Sequence, residues 1–149
     1  MAERRPPAWH FRHDRQHWTV RDATDSGFPM SGAWTVQLGE HVAHLESGGR
    51  CWRAEEASSL KLRVASTGGP MTTRIYWKRS GDNHFDRDRS VPLELAGDGQ
   101  VRSHRVELAS APGYRGLITG LAIEAGPRSR SGDTLTLHSI ELVRAKPRK

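Results

Sequence analysis

The sequence predicts an all-β fold, two antiparallel sheets packed as a sandwich or jelly roll, and three observations carry that prediction. Apolar and polar residues alternate with a period of two in segment after segment, which sets every second side chain on one face of a strand. Gly- and Asp-rich turns separate the segments, as at Ala96-Gly97-Asp98-Gly99 and Arg130-Ser131-Gly132-Asp133. No stretch of a dozen residues has helical periodicity; the best attempt, Cys51 to Leu60, is long enough for one turn.

The elements follow from that alternation. Trp34, Val36 and Leu38 alternate with Thr35 and Gln37, and Leu60-Lys61-Leu62-Arg63-Val64 is apolar and basic by turns. Thr73, Ile75 and Trp77 alternate with Arg74, Tyr76 and Lys78. Val91, Leu93 and Leu95 bracket Pro92 and Glu94; a proline cannot donate to a ladder, so this is an edge strand or a strand start. His104, Val106 and Leu108 share one face, and Leu117, Thr119, Leu121 and Ile123 share another. In the last segment Leu135 and Leu137 are out of step with Ile140 and Leu142, and a β-bulge near His138 and Ser139 would bring both pairs to one side.

A chain of 149 residues fits one domain, divided here into an N-terminal arm (1–8), a sandwich (9–144) and a basic tail (145–149). The lone Cys51 offers no internal disulfide. Met1 to Asp14 has no apolar run of the kind a secretory leader carries, and Gly116 to Gly126 is too short to span a bilayer. The net charge of +6 permits anionic partners without selecting one.

Four patches, in order, resemble galactose-binding-like jelly-roll domains of the carbohydrate-binding-module type. Trp9-His10-Phe11 followed by Trp18-Thr19-Val20 is similar to the family's opening strand and its following Trp. Met71 to Trp77, then Phe85 to Val91, resembles a strand ending in Tyr-Trp and a loop returning through Phe. Asp98-Gly99-Gln100 with His104 to Leu108, and Gly116 to Ile123 with Leu135 to Leu142, resemble the family's turn and its last core strands. The resemblance implies first and last strands side by side, and function through loops at one end or through an open sheet face, without chemistry.

Sugars present apolar C–H faces to aromatic rings and hydroxyls to polar side chains. On that ground Trp77 or Trp52, with Tyr114, are the candidates for stacking, and Arg79, Asp82, Asn83 and His84 for hydroxyl contacts, although Trp77 is in phase with Ile75, which favours the core. Trp9, Trp18 and Trp34 read as core anchors.

Catalytic chemistry finds no foothold. His13 and His17 have helical spacing in a region that does not read as helix; His41 and His44 fall on opposite faces of a strand; nothing pairs with Cys51. There is no nucleophile elbow, phosphate loop or dinucleotide fingerprint, and Asp86 and Asp88, alternating with Arg87 and Arg89, make an ordinary charged edge. No cofactor is expected. The resembled fold often carries a structural calcium, for which Asp14, Asp22, Asp25 and Glu141 are the possible donors, but no loop has calcium spacing.

The expected function is therefore a non-catalytic binding module with a carbohydrate as its ligand class. The alternative is an accessory subunit docked into a larger protein assembly, through an apolar patch or through a basic cluster of Arg4, Arg5, Arg144, Lys146, Arg148 and Lys149. That cluster is also compatible with a phospholipid face or a nucleic-acid backbone, although no nucleic-acid motif is present.

Overall fold

The computed structural model describes residues 6–12, 14, 16–25, 32–48, 50–126 and 133–144. The strands are β1 (Ala8–His10), β2 (Thr19–Arg21), β3 (Thr24–Asp25), β4 (Trp34–Gln37), β5 (Ala43–Glu46), β6 (Trp52–Arg53), β7 (Ser59–Ser66), β8 (Met71–Arg79), β9 (Ser90–Leu95), β10 (Arg102–Glu107), β11 (Leu117–Ala125) and β12 (Thr134–Val143). Single 3-10 turns occupy Ala54–Glu56, where the sequence allowed one turn, and Arg87–Arg89.

Two antiparallel sheets result. The first runs β10-β7-β12-β4-β3, with β1 also paired to β12; the second runs β2-β5-β11-β8-β9, with β6 paired to β11. First and last strands lie side by side: Trp9 sits opposite Ile140, and the Leu142 amide donates to the Pro7 carbonyl at 3.1 Å. Among the described residues the first strand thus starts at Ala8, inside the stretch assigned to the arm. β9 closes an edge of the second sheet, where Pro92 has no ladder bond to lose.

The alternation read from the sequence sorts the side chains. Leu60, Leu62 and Val64 of β7, Ile75 and Trp77 of β8, and Trp34 and Val36 of β4 all point into the space between the sheets and are buried. In β12 the register slips between Leu137 and Ser139, so Leu135, Leu137, Ile140 and Leu142 all reach the core, as the expected bulge requires. β11 departs from expectation. Its register slips between Ile118 and Gly120, so Ile118 is buried with Leu121 and Ile123, while Leu117 is exposed and Thr119 half-buried. An extra residue in a strand shifts the phase, and counting by twos cannot detect it.

One end of the core is aromatic. Trp9 stands edge-on to Trp18 with centroids 5.4 Å apart, Trp52 joins at 6.4 Å from Trp9, and Phe11 bridges to Trp34 at 5.6 Å. These rings come from both sheets and lock them together, each pair worth about 0.5–1.5 kcal/mol beyond the area it buries.

Candidate functional site

The three rings expected to stack on a ligand are core residues. Trp77 is fully buried, and Trp52 and Tyr114 retain 2% and 6% of their exposure, so none offers a face to a sugar. Hydrogen bonding explains their placement. The Tyr114 hydroxyl accepts from Trp52 Nε1 at 2.9 Å and donates to the Ala57 carbonyl at 2.6 Å, while Trp77 Nε1 donates to the Gly113 carbonyl at 3.0 Å. Trp77 and Tyr114 also meet edge to face at 5.5 Å. Burial pushes the Tyr114 phenol up to about 12.

The polar candidates divide. β8 ends at Arg79, and the chain turns at Gly81, whose φ of +94° suits a residue without a Cβ. Asp82 closes this turn. Its carboxylate accepts from the Arg79 amide at 2.8 Å and lies 2.9 Å from Arg89 Nε in an ion pair. That backbone bond, with the charges of Arg89, Arg79 and His84, holds the Asp82 carboxyl below its usual range. Asp82 and Arg79 therefore shape the loop rather than face outward as a pair of free hydroxyl-binding groups. Asn83 and His84 are exposed and line a hollow on the outer face of the second sheet.

That hollow, about 540 Å³, lies within the size range of small-molecule sites. Its origin is the register of four strands. Across one row Thr19, Glu46, Ala122 and Tyr76 stand in line; across the next stand Arg21, His44, Glu124 and Arg74. The central strand β11 contributes a small residue, Ala122, and the flanking strands contribute long ones, so the floor is low and the walls are high. At Gly120 the Lys78 and Phe85 side chains lie over the strand, where a Cβ would meet Lys78 Cε and Phe85 Cζ at an ordinary contact distance of 3.6 Å.

The walls are fixed by polar contacts. The Tyr76 hydroxyl donates to Glu124 Oε2 at 3.0 Å, and burial together with that carboxylate raises the Tyr76 phenol. Arg21 lies 3.3 Å from Glu46, and Lys78 Nζ sits 4.7 Å from the centroid of Phe85. Sequence reasoning named an open sheet face in general and missed Tyr76, Glu124, Glu46 and Lys78 in particular. The available signal was that Arg74, Tyr76 and Lys78 fall on the face opposite Ile75 and Trp77.

The remaining candidates stay apart. Asp86 caps the 3-10 turn by accepting from the Asp88 amide at 2.9 Å, so the two carboxylates are not a strand pair. His41 precedes β5, and only His44 is on that strand. Asp14 accepts from Gln16, Glu141 lies 3.8 Å from His10, and among the described residues no three His, Cys, Asp or Glu side chains gather to hold a metal. His13, the side chain of Asp25, and Arg4, Arg5, Lys146, Arg148 and Lys149 lie outside the described residues, which leaves Arg144 from the basic cluster. Among the described residues no helix is long and apolar enough to cross a membrane.

No protein-family model and no curated protein matches the chain. Solved structures do. A xylan binding module, CBM86, from Roseburia intestinalis is similar at a TM-score of 0.63 and 13% identity, over 93% of this chain and 95% of the module. CBM28, a carbohydrate-binding module specific for non-crystalline cellulose, is similar at 0.64 and 10% identity, over 88% of this chain and 89% of that one. An exo-β-agarase is similar at 0.65 and 9% identity, but the match takes in 97% of this chain and only 25% of the enzyme. At such low identities the likeness concerns architecture alone: the chain shares the two-sheet antiparallel β-sandwich fold of these modules.

Proposed function

We propose that the chain is a non-catalytic carbohydrate-binding module that takes its sugar on the open face of the second sheet. The observation that carries this reading is the hollow over Ala122, where carboxylate, ammonium, guanidinium and imidazole groups line the same space as the half-buried Phe85 ring and the Tyr76 side chain, which keeps 8% of its exposure. A pyranose needs such a mixture: donors and acceptors for its hydroxyls, and some apolar surface for its C–H groups. Tyr76 is pinned by Glu124, so its position is set before a sugar arrives and little ordering is needed on binding.

The fold supports the same reading, since the modules that match over most of their length bind xylan or cellulose by their descriptions. The two carboxylates in the hollow are both engaged, Glu46 by Arg21 and Glu124 by Tyr76, which suits recognition better than proton transfer. The accessory-subunit alternative gains less: among the described residues the exposed large apolar side chains are Val101 and Leu117, at separate places on the fold.

Affinity electrophoresis against a panel of neutral and acidic polysaccharides tests the reading. Retardation is expected for at least one, without release of reducing sugar. Ala122→Leu, which fills the floor, is expected to abolish retardation while leaving the circular dichroism spectrum unchanged. Retardation that survives Ala122→Leu would place the sugar elsewhere, and a panel with no retardation would end the proposal.

A further inference from the structure

Given that reading of the hollow, we infer that the sugar it takes is anionic, carrying a carboxylate or sulfate group that lies between Lys78 and Arg87 at the loop end of the hollow. The argument is a pairing of charges. Arg21 is matched by Glu46 at 3.3 Å. Arg74 stands across the ladder from Glu124 without an ion pair to it and donates through Nε to Ser90 Oγ at 2.9 Å, while Glu124 accepts from the Tyr76 hydroxyl at 3.0 Å. Lys78 and Arg87 line the same hollow, and neither has a carboxylate of the described residues within ion-pair distance.

The loop that forms this wall sends its acids and its bases in different directions. Asp82 is held by the Arg79 amide and Arg89, and Asp86 by the Asp88 amide. Both are used within the loop. Arg87 instead lines the hollow, together with His84, Asn83 and Tyr76. The Lys78 ammonium is held over the Phe85 ring, a contact that positions a cation without neutralising it. Two cations facing one partly enclosed space repel each other, and an anion between them relieves that repulsion while gaining charge-assisted hydrogen bonds. The hollow's lining thus carries three cations, Arg21, Lys78 and Arg87, against two carboxylates, Glu46 and Glu124, and a neutral sugar would leave that excess unanswered.

Isothermal titration of the full chain with three probes tests the inference: an oligogalacturonate, a sulfated galactan oligosaccharide and an uncharged galactan oligosaccharide, each at low and high salt. At least one acidic probe is expected to bind about tenfold tighter than the uncharged one at low salt, and the advantage is expected to shrink at high salt. Lys78→Gln and Arg87→Gln are each expected to cut the preference for that acidic probe over the uncharged one about three- to tenfold. Lys61→Gln, which removes an equal charge from the outer face of the other sheet, is expected to change neither. Preference between the uronate and the sulfate identifies the anion. Uncharged galactan binding as tightly as both acids overturns the inference and leaves the carbohydrate reading standing. Equal weakening by Lys61→Gln also overturns it, as general attraction to a basic protein. Absence of binding by all three overturns it, and with a blank polysaccharide panel the reading beneath it falls too.

Discussion

Replacing Tyr114 with Phe removes a single oxygen and separates a core role from a binding role for this ring. That oxygen accepts from Trp52 Nε1 at 2.9 Å and donates to the Ala57 carbonyl at 2.6 Å, and all three groups are buried. The variant keeps the ring and its edge-to-face contact with Trp77, so the packing loss is small. A buried polar group left without its partner costs about 1–3 kcal/mol, and two groups lose theirs, the carbonyl keeping a second lone pair, so a total of about 2–4 kcal/mol is expected. At about 2–4 °C per kcal/mol for a domain of this size, Tm falls by about 4–16 °C. Differential scanning calorimetry reads the shift, and titration with any bound sugar is expected to give an unchanged affinity. A Tm within about a degree of the parent would refute the buried network, and a folded variant that had lost sugar binding would return Tyr114 to the site. The raised phenol adds a pH signature. Its folded value of about 12 lies above the ordinary 10.0, so the stabilisation is complete below pH 10 and is lost as pH rises toward 12; Tyr114→Phe is expected to flatten that alkaline decline.

Other expectations follow from the same structure. Asp82 titrates below its ordinary 3.8 because of the Arg79 amide and neighbouring cations, so its contribution to the loop is present above that value and is lost as pH falls through the depressed one. Hydrogen exchange at the Arg79 amide is expected to be slow near neutrality and faster in Asp82→Ala; unchanged exchange would contradict the turn closure. All five tryptophans are at most 2% exposed, so acrylamide quenching is expected to be weak and saturating sugar to leave the emission unshifted. A sugar-dependent shift abolished by Trp52→Phe would show that an indole reaches the ligand.

The sequence made the sandwich legible because alternation is local: Leu60, Leu62 and Val64 announce their face without reference to the rest of the chain. The bulge in β12 was legible for the same reason, since two apolar pairs out of phase demand an extra residue between them. The slip in β11 was not, because Leu117 and Ile118 are both apolar and either phase looks acceptable from the letters alone. The proposed binding face was legible only in part. Asn83 and His84 stand in an obviously polar loop, but the floor depends on Ala122 lying between Glu46 and Tyr76, a juxtaposition that only the strand order creates. Trp52 and Tyr114 looked available because their surroundings are irregular. Their partnership spans 62 positions, and no local pattern signals a hydrogen bond between two such distant residues.

The central claim is that a sugar sits on the open face of the second sheet, and an amide-resolved NMR titration of the full chain with a retarded oligosaccharide tests it most directly. Perturbed amides are expected to cluster at His44 to Glu46, Tyr76 to Lys78, Asn83 to Arg87 and Gly120 to Glu124, with the outer face of β7 and β12 silent. Perturbations gathered on β7 and β12, or none at saturating sugar, would contradict the account.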